Sequence, residues 1–322
     1  MTNITTYGAG ASEAIVEDEV LFARLERARE GLTAPFAPER IDLVAGVAET
    51  LLGAQRAMAT GPATHFAFWT RRAALLKLAS SFASRVPQST LARPRGLVFH
   101  LPPQNVETVF LYSWVLSYLA GNANIVRLPR QINARMRAIV EMFLERLRSA
   151  QDESQLFVHY PAEGDLGARI SARCDARVVW GGDAKIALFA PLPLRNGGKS
   201  IWFGDRFSFS TINGAALGDL DEAGLRALAK KLQNDIFVFD QMACSSPHAL
   251  YVVGDKALHY EAVRRLLEAS ALAWTIDDPV GRIGHSIGKM TTAFYAAASG
   301  LASNVEWRSS PLTSIVANES RR

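Results

Sequence analysis

Between Gly96 and Gly204 the hydrophobic positions change rhythm several times. Short apolar runs of strand length recur at 96–101 (GLVFHL), 124–128 (NIVRL), 155–159 (QLFVH), 177–180 (RVVW) and 200–203. The stretches between them carry apolar residues three and four apart, the spacing of a helix with one buried face. The plainest case is Ile132, Met136, Ile139, Val140, Phe143 and Leu147. Another, Val106 to Ala120, is apolar almost throughout and closes on Gly121-Asn122, a natural helix stop. Further helices are predicted over 163–173 and just after Gly181-Gly182. Strands alternating with helices of this length form βαβ units, so the pattern predicts an α/β fold with a parallel sheet covered on both faces. Such an architecture is of nucleotide-binding type, although by itself it names no ligand.

The flanks read differently. Residues 13–33 set Ile15, Val20, Leu21 and Leu25 against Glu17, Asp18, Glu19, Arg24 and Glu26, a charged helix broken by the Ala-Pro-Phe-Ala-Pro stretch at 34–38. Helical patterns follow at 40–58 and 68–83, so residues 1–90 are expected to be mainly helical. Beyond Gly204 come a strand at 208–212, a helix after Asp221 carrying Leu225, Leu228 and Leu232, a strand at 249–253 and a helix at 256–273. The sequence turns polar after Asn304. The expected organisation is a helical region over 1–90, a nucleotide-binding domain over 91–237 and a second domain over 238–322.

Composition narrows the function classes. The 322 residues are 49% hydrophobic and 20% charged, ordinary globular values at a length that suggests two domains. The formal net charge is +4, and the basic residues are scattered rather than gathered into a stripe with aromatics. A nucleic-acid surface is therefore not expected, while a mild basic bias suits anionic ligands. The two cysteines, Cys174 and Cys244, lie far apart and make neither a disulfide framework nor a zinc site, so no metal is expected and a reducing compartment is. Met1 to Tyr7 shows no secretory pattern, and the longest uncharged apolar stretch, Thr108 to Ala120, is too short to span a bilayer. The expectation is a cytoplasmic protein without a membrane span.

Four segments carry candidate chemistry. In FDQMACSSPHALYV, Cys244 lies between a polar turn and Ser245-Ser246-Pro247, just before an apolar strand. A thiol on such a turn is held rigidly and stays reachable, and nearby backbone N–H groups can lower its pKa and later stabilise an oxyanion. A lone Cys is more often a small buried hydrophobe, the reading that fits Cys174 at a helix end. Asn105 sits where a strand's carboxyl end meets a helix, the crevice in which open α/β sheets bind ligands, although taken by itself it reads better as a helix cap. Arg127 ends the next strand, either as a solvated charge or as a ligand for phosphate or ribose. In VVWGGDAKI, Gly181 and Gly182 allow close approach of backbone to a phosphate, or simply form a tight turn. In SIWFGDRFSFSTI, the Phe203-Gly204 step brings backbone near a ligand or makes a bulge.

Taken in order, these segments resemble the acyl-CoA reductases typified by the fatty-acyl reductase of bacterial luminescence operons (LuxC), a branch of the aldehyde dehydrogenase superfamily. The resemblance rests on Asn105 after a strand and prolines, Gly121-Asn122 before a basic strand end, Trp180-Gly181-Gly182-Asp183, and Asp240-Gln241-Met242-Ala243-Cys244-Ser245-Ser246-Pro247. It runs from about Gly96 to about Gly254. It implies an aldehyde-dehydrogenase-like fold, in which a parallel Rossmann-type nucleotide-binding domain is joined to a second α/β catalytic domain. It implies Cys244 as the acyl-accepting thiol and Asn105, with the Cys244 backbone N–H, as the oxyanion hole. Arg127 lies where the superfamily usually has a Lys on the adenosine ribose, and a guanidinium there favours a 2′-phosphate. The implied cofactor is NADPH, with NADH as the alternative, held also by Gly181, Gly182, Phe203 and Gly204.

Two departures from the pattern matter. Ordinary aldehyde dehydrogenases carry a Glu before the glycine that matches Gly204, and this chain has Phe203. That Glu helps activate the hydrolytic water, so its replacement points away from oxidation to a free acid. The family's catalytic domain also continues past the point corresponding to Arg322, so 238–322 is expected to be an incomplete catalytic domain. The expected function is reduction of an acyl thioester to a fatty aldehyde. The donor is an acyl-CoA or acyl-protein, with an acyl-activating or acyl-transferring protein and a second copy of the chain as conceivable partners. Two alternatives stay open: oxidation of aldehydes, and a non-catalytic nucleotide-binding or interaction protein.

Overall fold

In the computed structural model the described residues are 4–8, 11–58, 61–103, 108–129, 132–161, 163–204, 206–237, 241, 243–272, 290–307 and 313–317. The chain divides into two compact units, residues 1–206 and 207–322.

The first unit opens with a hairpin, β1 (Ile4–Gly8) and β2 (Ala11–Val16), followed by α1 (Asp18–Ala28). Then come α2 (Pro38–Leu52), α3 (Pro62–Trp69) and α4 (Arg72–Ala83), the first two starting on a proline whose missing N–H costs nothing there. The alternation follows: β3 (Leu97–Leu101), α5 (Val109–Leu119), β4 (Ala123–Arg127), α6 (Ala134–Ser149), β5 (Gln155–His159), α7 (Leu166–Ser171), β6 (Ala176–Trp180), α8 (Asp183–Phe189) and β7 (Lys199–Phe203). Asn133 caps α6 by accepting the Met136 N–H at 2.8 Å.

These strands form a seven-stranded sheet in the order β2-β1-β5-β4-β3-β6-β7. The five from β5 to β7 are parallel, and the hairpin is added antiparallel at the β5 edge. Each face has its own core. Val126 and Phe157 face Trp114, Phe143 and the α2–α3 helices, while Phe99, Ile125 and Val158 face Leu21, Leu25 and Ile170. The amino-terminal region, expected to be mainly helical, also carries a hairpin. Strand β2 spans residues 11–16, of which 13–16 belong to the predicted 13–33 helix. The pairing that fixes the hairpin, Thr5 with His159 and Tyr7 with Phe157, is made with a strand far along the chain, which no local pattern reveals.

Gly121 and Asn122 anchor the amino-terminal helices to the sheet. Gly121 has φ +89°, and a side chain there would run into the Thr33 carbonyl, whose own N–H donates to Gly121 O at 3.1 Å. Asn122 Oδ1 accepts the Arg95 and Gly96 N–H groups at 2.6 and 3.2 Å. The buried Arg40 guanidinium donates to Tyr118 O, Asn122 O and Gly31 O.

The second unit contains β8 (Ser208–Asn213), α9 (Gly214–Gly218), α10 (Glu222–Phe237), β9 (Pro247–Val253), α11 (Lys256–Leu272), a helix over 290–298, and the hairpin β10 (Ala302–Trp307) and β11 (Thr313–Ala317). β8 and β9 pair in parallel, with Thr211 opposite Tyr251. Leu217, Leu225, Leu232, Ile236 and Leu266 are buried together. The units therefore divide at 206/207 rather than at the expected 237/238. The leucine face of α10 finds its cover in α11 and β8 finds its partner in β9, so both belong with the cysteine segment. The polar stretch after Asn304 carries a hairpin in which Val305 pairs with Ile315. Among the described residues no helix is long and apolar enough to cross a membrane.

Candidate active site

The sheet order reverses at β3, which pairs with β4 on one side and with β6 on the other. Open α/β sheets bind ligands outside the carboxyl ends of the strands at such a point, because the connecting loops diverge there and leave a crevice. The strand ends that meet at this edge are Leu101, Arg127, Trp180 and Phe203. Five of the expected residues, Arg127, Gly181, Gly182, Phe203 and Gly204, thus share one edge of the first unit.

Arg127 is partly buried. Its Nη2 donates to Tyr160 O at 3.2 Å, and its guanidinium lies over the Tyr160 ring, 4.5 Å from the centroid. Those contacts fix the side chain while leaving most of its five N–H donors unused by them. Trp180 and Phe203, opposite each other in the β6–β7 register, stack with centroids 3.8 Å apart and planes 9° apart. Glycine leaves room on either side of this pair. Gly181 has φ +146°, and a Cβ there would lie 2.8 Å from Lys185 Cδ; one at Gly204 would lie 3.0 Å from Ile186 Cδ1. Gly182 caps α8, its carbonyl accepting the Lys185 N–H at 2.9 Å.

Behind the aromatic pair runs a buried polar chain. Trp180 Nε1 donates to Ser113 Oγ at 3.1 Å, which leaves the serine hydroxyl to donate to His100 Nδ1 at 2.8 Å. His100 Nε2 then donates to Asn124 Oδ1 at 2.9 Å, and Asn124 Nδ2 to Gln155 Oε1 at 2.8 Å. Gln155 Oε1 also accepts Trp114 Nε1–H. Only the tautomer with the proton on Nε2 satisfies every member. Burial pushes the imidazole down to about 4, so His100 is neutral near pH 7 and holds Trp180 in place.

Lys185 is the site residue that its sequence context does not announce. Its Nζ donates to Leu101 O, Pro102 O and Trp180 O at 3.1, 2.9 and 2.9 Å. Burial first, and the Arg127 charge second, lower its pKa to about 8. The signal was its place in VVWGGDAKI, one helical turn past Gly181-Gly182, yet a lysine near a helix start ordinarily reads as a solvated charge.

Asn105 lies outside the described residues, as do Asp240 and Met242. Cys244 belongs to the second unit and is exposed, at the second position of the turn closed by Ser246 N–H donating to Ala243 O at 2.9 Å. Three contacts hold this turn. Ser208 Oγ donates to Cys244 O at 2.6 Å, and Gln241 Nε2 donates to Pro247 O at 2.9 Å. The Gln241 N–H donates to Ile236 O at 2.8 Å, and Gln241 has φ +60°. Cys174 is the opposite case: it is buried, its Sγ bonds Ile170 O at 3.2 Å, and burial pushes its thiol well above the usual range.

The dinucleotide implied by the sequence resemblance fits the first unit's edge. Neither Arg127 nor Lys185 has a carboxylate within ion-pair distance among the described residues. The two glycines leave space that a Cβ would fill, and the Phe203 ring, 40% exposed, offers a flat apolar surface. Residues able to hold such a cofactor are Arg127, Lys185, Gly181, Gly182, Phe203 and Gly204.

Solved structures with this fold are aldehyde dehydrogenases. A salicylaldehyde dehydrogenase from Pseudomonas putida G7 aligns at TM-score 0.63 with 13% identity, over 96% of this chain and 71% of its own. A benzaldehyde dehydrogenase from Corynebacterium glutamicum aligns at 0.59 with 16% identity, over 98% and 74%. A succinic semialdehyde dehydrogenase from Streptococcus pyogenes, solved with NADP+, aligns at 0.55 with 16% identity, over 80% and 60%. The protein thus has the aldehyde dehydrogenase fold. The acyl-CoA reductase (LuxC) family model matches residues 76–276, and the chain belongs to that family. It is 27% identical over 170 residues to a long-chain acyl-protein thioester reductase from Aliivibrio fischeri, and 28% identical over 171 residues to one from Vibrio harveyi. Each match takes in 51% of this chain and about a third of the relative, 33% and 34%.

Proposed function

We propose that this protein reduces an acyl thioester to an aldehyde, with Cys244 as the residue that carries the acyl group. The observation behind this reading is the exposure of Cys244 on a turn anchored at both ends, by Ser208 and by Gln241, in a chain of this family. A thiolate so held attacks the acyl carbonyl, and the tetrahedral intermediate collapses with loss of the donor thiolate, giving an acyl-enzyme. Asn105 and the Cys244 backbone N–H supply the oxyanion hole in this reading. A reduced nicotinamide, NADPH in this proposal, supplies when bound the hydride that takes the thioester to the aldehyde level. The cysteine then leaves as thiolate, while the carbonyl re-forms as aldehyde.

Phe203 favours reduction over hydrolytic oxidation. Its ring lies flat on Trp180, and a phenyl group has no carboxylate with which to activate a water. Arg127 takes the 2′-phosphate side of the cofactor in this proposal, and Trp180 and Phe203 bound the site. The relatives, long-chain acyl-protein thioester reductases by name, point to acyl-protein as donor, with acyl-CoA as the simpler thioester.

The test is incubation of the chain with NADPH and a long-chain acyl-CoA, with aldehyde trapped as its hydrazone. Aldehyde formed in step with NADPH consumption, and lost in Cys244→Ala, is the expected result. Oxidation of aldehyde by NADP+ without any reverse transfer would favour the dehydrogenase reading, and cofactor binding without acyl transfer would leave a nucleotide-binding protein.

A further inference from the structure

One charged group at the sheet edge has no place in the chemistry above. The Lys185 ammonium has three protons, and the carbonyls of Leu101, Pro102 and Trp180 accept all three. Two of these carbonyls belong to the end of β3 and one to the end of β6, whose backbone ladder stops at Leu101 opposite Val179. The lysine therefore ties the two strand ends together just where the sheet order reverses. Gly181 makes room for it, since a Cβ there would meet the lysine stem.

Among the described residues, the charges around the ammonium do not balance it. From β4, Arg127 contributes a second cation whose field opposes the first. From α8, Asp183 lies toward Gly204, its Oδ1 3.2 Å from where a Cβ at 204 would sit, and forms no ion pair with Lys185. The ends of β3 and β6 offer only Leu101, Pro102 and Trp180. A cation taken out of water without a counter-charge is costly, and an anion arriving at the crevice relieves that cost.

We propose that Lys185 is a second cation of the dinucleotide site: protonated, it clasps β3 to β6 and adds its charge to that of Arg127 at the edge taken by the anionic part of the cofactor, and deprotonated it does neither. This rests on the cofactor reading above. Burial and the Arg127 charge bring the ammonium to about 8, so the clasp is whole at pH 7 and is lost as the pH rises through that value.

The experiment is calorimetric titration of NADPH, and separately of inorganic pyrophosphate, into the full chain between pH 6.5 and 9.5. The expected wild-type result is an affinity about tenfold weaker at pH 9 than at pH 7. Lys185→Met should bind both probes at least tenfold more weakly at pH 7 and show no such decline. Lys185→Arg, charged throughout, should also show none, and its profile corrects for titration of the probes themselves. Arg127→Leu should move the midpoint upward by removing the neighbouring cation, a response that a merely structural lysine would not give. Circular dichroism checks each fold, and the wild-type and Lys185→Arg profiles decide the matter if Lys185→Met does not fold. A wild-type affinity independent of pH, or a Lys185→Met chain that binds like wild type, overturns the assignment alone. Failure of the wild type to bind either probe overturns it together with the cofactor reading.

Discussion

Trp180 and Phe203 stack face to face across the β6–β7 register, and the Trp180 indole N–H is anchored on Ser113, which is bound in turn to His100. The orientation of an aromatic residue at the ligand-binding edge is thus set by a histidine in the sheet interior. Polar residues in the core of a parallel sheet are tolerated only when every donor and acceptor is matched, and here the matching runs from β6 through β3 and β4 to β5.

Acid should undo this arrangement. Burial holds His100 at about 4 in the folded protein, against about 6.5 in an unfolded chain. Between those values the unfolded chain binds the extra proton, so the full stability is present above about 6.5 and falls as the pH drops toward 4. The loss on this account is roughly 3 kcal/mol. Urea unfolding followed by tryptophan fluorescence from pH 4 to 7.5 measures it, and His100→Gln should flatten the slope. Equal slopes in the two proteins would exclude the role.

Arg127 should distinguish the two nicotinamide cofactors. Loss of a charge-assisted contact to a 2′-phosphate costs roughly 1.5–3 kcal/mol. Arg127→Leu should therefore weaken NADPH binding by that much more than NADH binding. Titration of both cofactors into both proteins reads the difference, and a wild type with equal affinity for the two removes this role from Arg127.

Gly121→Ala should damage the fold without touching the site. At φ +89° a Cβ is strained, and the Thr33 carbonyl occupies the space it needs. The expected cost is more than roughly 2 kcal/mol, read as a lower urea midpoint. An unchanged midpoint would mean that the amino-terminal helices are not tied to the sheet through this turn.

The βαβ alternation was legible because four of its strands, β3 to β6, are local apolar runs buried on both faces, and QLFVH matched β5 residue for residue. The hairpin β1–β2 was not, since its place depends on an edge provided by β5. The unit boundary was hidden for a related reason: β8 looks like one more strand of the first sheet until its pairing with β9 is seen. Among the site residues, the glycines and Phe203 could be picked out because the Trp-Gly-Gly-Asp and Phe-Gly steps stand out in the sequence. Lys185 could not, because its three acceptors are backbone carbonyls, which leave no trace in side-chain identity.

The central claim is that the acyl group is carried on Cys244. Intact-protein mass spectrometry after incubation with a long-chain acyl-CoA, without reductant, tests it directly. The account predicts one acyl adduct on the wild type, the same adduct on Cys174→Ala, whose thiol is buried and bonded to Ile170 O, and none on Cys244→Ala. An adduct that survives Cys244→Ala, or a folded wild type that takes up no acyl group, would contradict it.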